Sequence, residues 1–150
     1  QTLLAMAKSK VKAPGTRIEW LPCDIDALPA DIGRFDVVLC CLVLSHVADI
    51  DGALTRLSRH VADDGCLVVT DFHPFNLLIG WRTSFVHEGA KYVVPNFLHL
   101  PSHYFEAFQR AGLEVEAFKE VGDFPRLPDQ PATIMMKGRR ARGHRQGERR

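Results

Sequence analysis

Residues 35–74, FDVVLCCLVLSHVADIDGALTRLSRHVADDGCLVVTDFHP, constrain the fold more than any other stretch. Residues 37–44 run without a polar break and are rich in Val and Leu, as a strand buried on both faces requires. Asp49 and Asp51 then offer carboxylates to cap a helix. Leu54, Leu57 and Val61 follow at spacings of three and four, one apolar stripe along that helix. Asp63-Asp64-Gly65 is expected to stop it, with Gly65 taking the left-handed conformation that favours helix ends. Residues 66–72 form a second apolar run of strand length. Two buried strands joined by one helix make a βαβ unit, and such crossovers are nearly always right-handed.

The totals fit one globular domain. The chain has 150 residues, 46% hydrophobic and 25% charged. No uninterrupted apolar run reaches the roughly eighteen residues of a membrane span, and no secretory pattern opens the chain, so a cytoplasmic home without a membrane partner is expected. Cys23, Cys40, Cys41 and Cys66 lie in or beside strand-like runs without C-x-x-C spacing. They read as reduced core thiols rather than as a disulfide framework or a zinc site. Seven of the nineteen Lys and Arg fall in residues 137–150, against one of the eighteen acids. A mildly acidic domain is therefore expected over residues 1–137, with a solvated basic tail over 138–150. No aromatics interleave those arginines, which argues against nucleic-acid binding.

Around the central unit the rest follows in order. Residues 1–12 are amphipathic and read as a helix ending at Pro14-Gly15. Residues 17–21, RIEWL, read as a short strand, and residues 23–29, CDIDALP, as a loop. His46 directly follows the first buried strand, where an imidazole can serve as a general base or equally cap the next helix. Residues 73–100 are irregular and aromatic, with a hairpin over 85–94 turning at Glu88-Gly89. His99 and His103 are four apart, but Pro101 between them starts a helix and no acidic partner completes a metal set. Ser102 is the expected cap of a helix running to Arg110 with Tyr104, Phe105 and Phe108 on its apolar side. Residues 113–121 alternate as a half-exposed strand, residues 123–131 read as a Pro-rich loop, and residues 132–137 as a last strand.

The order of these motifs (a hydrophobic strand after Phe35-Asp36, then Ser45-His46-Val47, the Leu-x-x-Leu helix, Asp64-Gly65 and a strand closing in Asp71-Phe72-His73-Pro74) resembles class I S-adenosylmethionine-dependent methyltransferases. The similarity is greatest to the small-molecule enzymes of the ubiquinone-biosynthesis type. The resemblance implies an α/β, Rossmann-like sheet whose last strand lies antiparallel between the fifth and sixth. It also implies S-adenosylmethionine as cofactor and methyl transfer to a small-molecule acceptor. By position, Asp24 would accept the adenine amino hydrogen and the Ile25 N–H would meet a ring nitrogen. Cys41 and Leu42 would contact the cofactor at the end of the first strand in residues 35–74, chiefly through backbone atoms. His46 or His73 would deprotonate the acceptor, and residues 73–100 would form a substrate cap. The family's first two strands, with their glycine-rich turn, have no counterpart here: no G-x-G occurs anywhere. The chain therefore reads as an N-terminally truncated methyltransferase, inactive on its own. The alternative is a non-catalytic α/β remnant serving as a binding or regulatory module. The sequence assigns neither the acceptor nor the oligomeric state.

Overall fold

A computed structural model of the chain describes residues 3–11, 15–124 and 127–140. The elements in chain order are α1 (Leu3–Lys10), β1 (Phe35–Cys41), α2 (Ile50–Arg59), β2 (Val61–Phe72), α3 (Pro74–Leu78), β3 (Ser84–His87), β4 (Ala90–Val93), α4 (Pro101–Arg110), β5 (Leu113–Phe124) and β6 (Leu127–Arg140). Four strands form one sheet in the order β1-β2-β6-β5, and β3 and β4 pair separately. β1 and β2 are parallel, with Val38 opposite Leu67 and Cys40 opposite Val69. β6 runs antiparallel to both of its neighbours. The antiparallel last strand thus sits between β2 and β5, as the resemblance implies.

One face of the sheet carries the core. Leu67, Val69 and Asp71 of β2 alternate inward with Ala132, Ile134 and Met136 of β6, all buried. α2 lays Ile50, Ala53, Leu54 and Leu57 on that face, and α4 adds Tyr104, Ala107 and Phe108. Each large apolar side chain so buried contributes about 1.5–3 kcal/mol, which outweighs the weak intrinsic stability of ten-residue helices. The Asp49 carboxylate starts α2 by accepting the Gly52 N–H at 2.9 Å, as its position in the sequence predicts. Arg110 of α4 donates to Asp51 of α2 at 2.7 Å and fixes the two helices side by side. On the opposite face Phe35, Val37 and Leu39 of β1 stay largely exposed, so β1 is buried on one face only and not on both as its apolar run predicts, because no described element covers that side.

The structure corrects several local expectations. Residues 17–21 form no strand, because a strand needs a hydrogen-bonded neighbour and none of the described residues supplies one. α2 ends at Arg59 with His60 as its cap, and residues 63–65 already belong to β2. Gly65 is needed for contact rather than for a left-handed turn. A Cβ there would stand 2.8 Å from the carbonyl oxygens of both Phe35 and Asp36. Leu100, not Ser102, precedes the first turn of α4, with Pro101 at its first position. Residues 123–131 are mostly strand, since pairing of β5 with β6 continues to Phe124 opposite Leu127 through irregular register.

The same strand overruns the expected tail. Gly138–Arg140 are the end of β6, Lys137 and Arg139 both pair with Glu116, and Arg140 donates to the carbonyls of Ser58 and Val61. Three of the seven terminal cations therefore hold the sheet together; the remaining four lie outside the described residues. Of the four cysteines, Cys40 and Cys66 are buried as expected, while Cys23 and Cys41 are exposed. The hairpin turn is where the sequence puts it, with Glu88 and Gly89 at φ 50° and 79°, the left-handed pair that a two-residue hairpin loop requires.

Candidate functional site

In open α/β sheets ligands bind beyond the carboxyl ends of the strands. At that end of β1 lies a cleft of about 280 Å³ lined by Cys23, Asp24, Ile25, Leu28, Cys41 and Val43, among others. Asp24 and Ile25 of the loop and Cys41 of the strand, sixteen or more residues further along the chain, converge on it. A larger groove of about 560 Å³, bounded by Trp20, Leu21, Ile32 and Phe35, opens at the amino end of β1 and contains none of the predicted site residues. The smaller cleft is the better candidate because of its place on the sheet, not its size.

Local chemistry shapes the cleft. Asp24 starts a short 3-10 turn over Ile25–Ala27, where its carboxylate accepts the Asp26 N–H at 3.1 Å. The second carboxylate oxygen and the Ile25 N–H both lie on this exposed loop, a ready acceptor–donor pair for a flat heterocycle. Asp26 pairs with Arg56 and ties the loop to α2. Across the cleft the chain leaves β1 through Leu42, whose φ of 56° is rare for a side chain without a local polar group. That conformation costs about 1–2 kcal/mol and is held by the Leu42 N–H donating to Thr70 O at 2.8 Å. The reversal lets the chain turn off the sheet immediately after Cys41, which keeps the cleft mouth open.

His46 lies three residues beyond Val43, in a 3-10 turn over Leu44–His46, and does not line the cleft. Its Nδ1 stands 2.8 Å from the Pro95 carbonyl. The Asn96 amide nitrogen is 3.4 Å from the same atom, but it is a donor, and the shorter contact to an acceptor decides the tautomer. Nδ1 therefore carries the proton and Nε2 presents a lone pair, with no bond to it among the described residues. His73 is placed differently. Its Nδ1 accepts the Phe75 N–H at 3.1 Å, capping α3, and its Nε2 donates to Glu120 at 3.0 Å. Both of its ring nitrogens are engaged, and the residue is buried.

Sequence reading gave no role to Asp71, a fully buried carboxylate at the end of β2. Its inward register, in step with Leu67 and Val69, was the available signal. It accepts the Ser45 N–H at 2.7 Å, the Phe72 N–H at 2.8 Å and the Tyr104 hydroxyl at 3.4 Å. Burial, aided by the Asp71 charge, pushes the Cys40 thiol up to about 12 and raises the Tyr104 phenol well above its ordinary range. Cys40 is thus a neutral packing group beside the exposed Cys41. His99 and His103 face a separate pocket of about 200 Å³ with Asp49, Asp51, Glu106 and Arg110. Among the described residues no three His, Cys, Asp or Glu are grouped to hold a metal. No helix among them is long and apolar enough to cross a membrane.

With this geometry in place, comparison with known proteins is direct. A family model described as a methyltransferase domain matches residues 1–69, which include the cleft loop, β1, α2 and most of β2. Over that stretch the chain is similar to methyltransferases. It is 35% identical to the demethylmenaquinone methyltransferase of Thermus thermophilus over 121 residues, 77% of this chain and 52% of that protein. It is 22% identical to a ubiquinone biosynthesis O-methyltransferase of Rickettsia canadensis over 130 residues, 79% of this chain and 52% of the relative. The chain thus spans about half the length of these curated relatives. Among solved structures it resembles an S-adenosylmethionine-dependent methyltransferase of Clostridium acetobutylicum. The TM-score is 0.72 at 13% identity, covering 93% of this chain and 71% of that one. The magnesium protoporphyrin IX methyltransferase of Synechocystis, solved with its cofactor bound, matches at TM-score 0.62 and 15% identity over 92% and 54% of the two chains. These likenesses establish the Rossmann-like sheet with its antiparallel last strand.

Proposed function

We propose that the chain takes part in S-adenosylmethionine-dependent methyl transfer to a small, largely apolar acceptor. The observation that carries this reading is the convergence of Asp24, Ile25 and Cys41 on one cleft at the carboxyl end of β1, within the residues that match a methyltransferase domain. Asp24 accepts the adenine amino group, the Ile25 N–H meets a ring nitrogen, and the backbone of Cys41 and Leu42 borders the ribose side. The sulfonium of the bound cofactor is already a good leaving group, so the protein's work is alignment and exclusion of water.

His46 is assigned the base role because its Nε2 lone pair is unengaged. His73 holds the start of the 73–100 segment instead. That segment exposes Phe85, Tyr92 and Trp81, with Phe85 stacked on Tyr92 at 5.3 Å and Trp81 against Phe72 at 4.8 Å. An aromatic cover of this kind suits a flat ring-bearing acceptor, in line with a relative named for demethylmenaquinone and another for ubiquinone biosynthesis. Its apolar surface would keep water from the sulfonium.

Nuclear magnetic resonance titration with S-adenosylhomocysteine tests the site even where affinity is weak. The amides of Asp24, Ile25, Cys41 and Leu42 should shift together and saturably, with a dissociation constant weaker than micromolar because no glycine-rich turn is present in this sequence. Shifts confined to Trp20, Leu21 and Ile32, or none at millimolar ligand, would overturn the reading in favour of a non-catalytic binding module.

A further inference from the structure

Asp71 presents a physical puzzle that catalysis by His46 helps to answer. A fully buried carboxylate is expensive unless compensated, yet among the described residues Asp71 has no cation within ion-pairing distance. Its compensation is three neutral donors, and the shortest bond, 2.7 Å, goes to the backbone N–H of Ser45 in the turn that carries His46. The same turn is held from its other side. Phe97 donates its N–H to Ser45 O at 2.8 Å, His46 Nδ1 donates to Pro95 O at 2.8 Å, and His99 Nε2 donates to Val47 O at 2.7 Å. Residues 44–47 and the returning segment 95–99 are therefore clasped together, with Asp71 at the base. Tyr104 of α4 reaches the same carboxylate oxygen as Ser45 and links the clasp to the core.

We infer that Asp71 is a positioning residue: by anchoring the Ser45 amide it holds His46 against the Pro95 carbonyl and so fixes the tautomer in which Nε2 carries the lone pair. This rests on the reading of His46 as the base. A free imidazole prefers its proton on Nε2, the wrong nitrogen for that task, so the tautomer must be imposed by structure. A peptide carbonyl accepting from Nδ1 imposes it only while the turn and the returning segment stay in register. Asp71 supplies that register from the end of β2, with a group that accepts but cannot donate when ionised. An amide in its place would offer one acceptor oxygen and a donor to a pocket containing three donors.

Ring-nitrogen chemical shifts of the 15N-labelled chain at pH 8 read the tautomer directly, with Asp71→Asn as the variant and His46→Gln identifying the signal. In the parent chain His46 should be mainly the Nδ1–H form. In Asp71→Asn that form should fall to the minor species, and amide exchange at Ser45 and Phe97 should quicken at least tenfold. His60, whose Nδ1 bonds to Gly33 O at 2.9 Å at the opposite end of β2 from Asp71, reports whether the fold is intact. A folded Asp71→Asn chain with unchanged His46 tautomer overturns the proposal. If Asp71→Asn does not fold, Tyr104→Phe removes a single hydroxyl and should give a partial shift toward Nε2–H; an unmoved tautomer in that folded variant overturns the proposal equally. These readouts need no cofactor. Failure of S-adenosylhomocysteine to bind would therefore sink the methyltransferase reading while leaving the tautomer result to decide the positioning role.

Discussion

Replacing Gly65 by Ala isolates the contact between the two parallel strands on which the fold is built. The new Cβ would meet Phe35 O and Asp36 O at 2.8 Å and Ala62 N at 3.1 Å. All three are backbone atoms, so no side-chain rotation can relieve the contact. An ordinary carbon–oxygen contact needs about 0.6 Å more, and β1 must move away from β2 at the point where their register already shifts between Phe35 and Val37. Overpacking of this kind costs about 1–3 kcal/mol. Against it, Ala restricts the unfolded chain and recovers about 0.4–1 kcal/mol, because Gly65 has no positive φ. The net loss is up to about 2.6 kcal/mol and centred on about 1.3 kcal/mol, a melting temperature lower by about 3–5 °C at the centre. Gly112→Ala serves as the control: φ is 72° and nothing lies within 4 Å, so its cost is purely conformational, about 1 kcal/mol or less after the same correction. Gly65→Asn sharpens the comparison. At a left-handed helix end Asn would be tolerated, whereas against two carbonyls it should be worse than Ala. Urea unfolding of the three variants measures all of this. A Gly65→Asn midpoint at or above that of Gly65→Ala would refute the contact argument.

Other consequences are equally direct. At pH 8 a thiol reagent should modify Cys23 and Cys41 rapidly and spare Cys40 and Cys66 until the chain is denatured; a third fast thiol would contradict the burial of Cys40 and its thiol pushed up to about 12. Alkaline stability should fall through the same group. Above the ordinary thiol value of 9.0 the unfolded chain loses the Cys40 proton while the folded chain keeps it, so this stabilisation is whole below pH 9 and lost as pH rises toward 12. Cys40→Ala should flatten the pH dependence of the unfolding free energy over that interval by up to about 1.4 kcal/mol per pH unit, leaving the same-signed slope that Tyr104 adds above pH 10; an unaltered slope would refute the assignment. Asp24→Ala should weaken S-adenosylhomocysteine binding about tenfold, roughly 1.4 kcal/mol, while Asp24→Asn, which keeps an acceptor, should lose less than half of that. Equal losses in the two would place the adenine elsewhere.

What the sequence could tell depended on whether the information was local. The βαβ unit was legible because its strands are continuous apolar runs and Asp49 caps the helix within three residues. The hairpin was legible because Glu88-Gly89 is turn chemistry. The place of the last strand came from the family resemblance, not from any pattern in residues 132–137. Where an element's state depends on a distant neighbour, reading failed. RIEWL has strand-like composition but no partner, and the Asp64-Gly65 pair looks like a helix stop until β1 is laid against it. Asp71 closes a sequence motif, yet two of its three partners are 26 and 33 residues away. The cleft was half legible: Asp24, Ile25 and Cys41 meet, while His46 stands apart and His73 proves to be a cap.

The position of β6 has a consequence for how the chain is made. Among the described residues β5 touches the sheet only through β6, and β6 follows every other described strand in the chain. While the ribosome is still adding residues 127–140, β1, α2 and β2 can assemble from contacts close in sequence, but half of the sheet has nothing to join. Completion waits for the β5–β6 hairpin to close and dock on β2 as a unit, with Gly138 opening the space that Phe108 occupies and Arg140 reaching back to Ser58. Until then the edge of β2 that pairs with β6 is open, so a chain that stopped before residue 127 would carry an unpaired strand edge prone to capture by other chains.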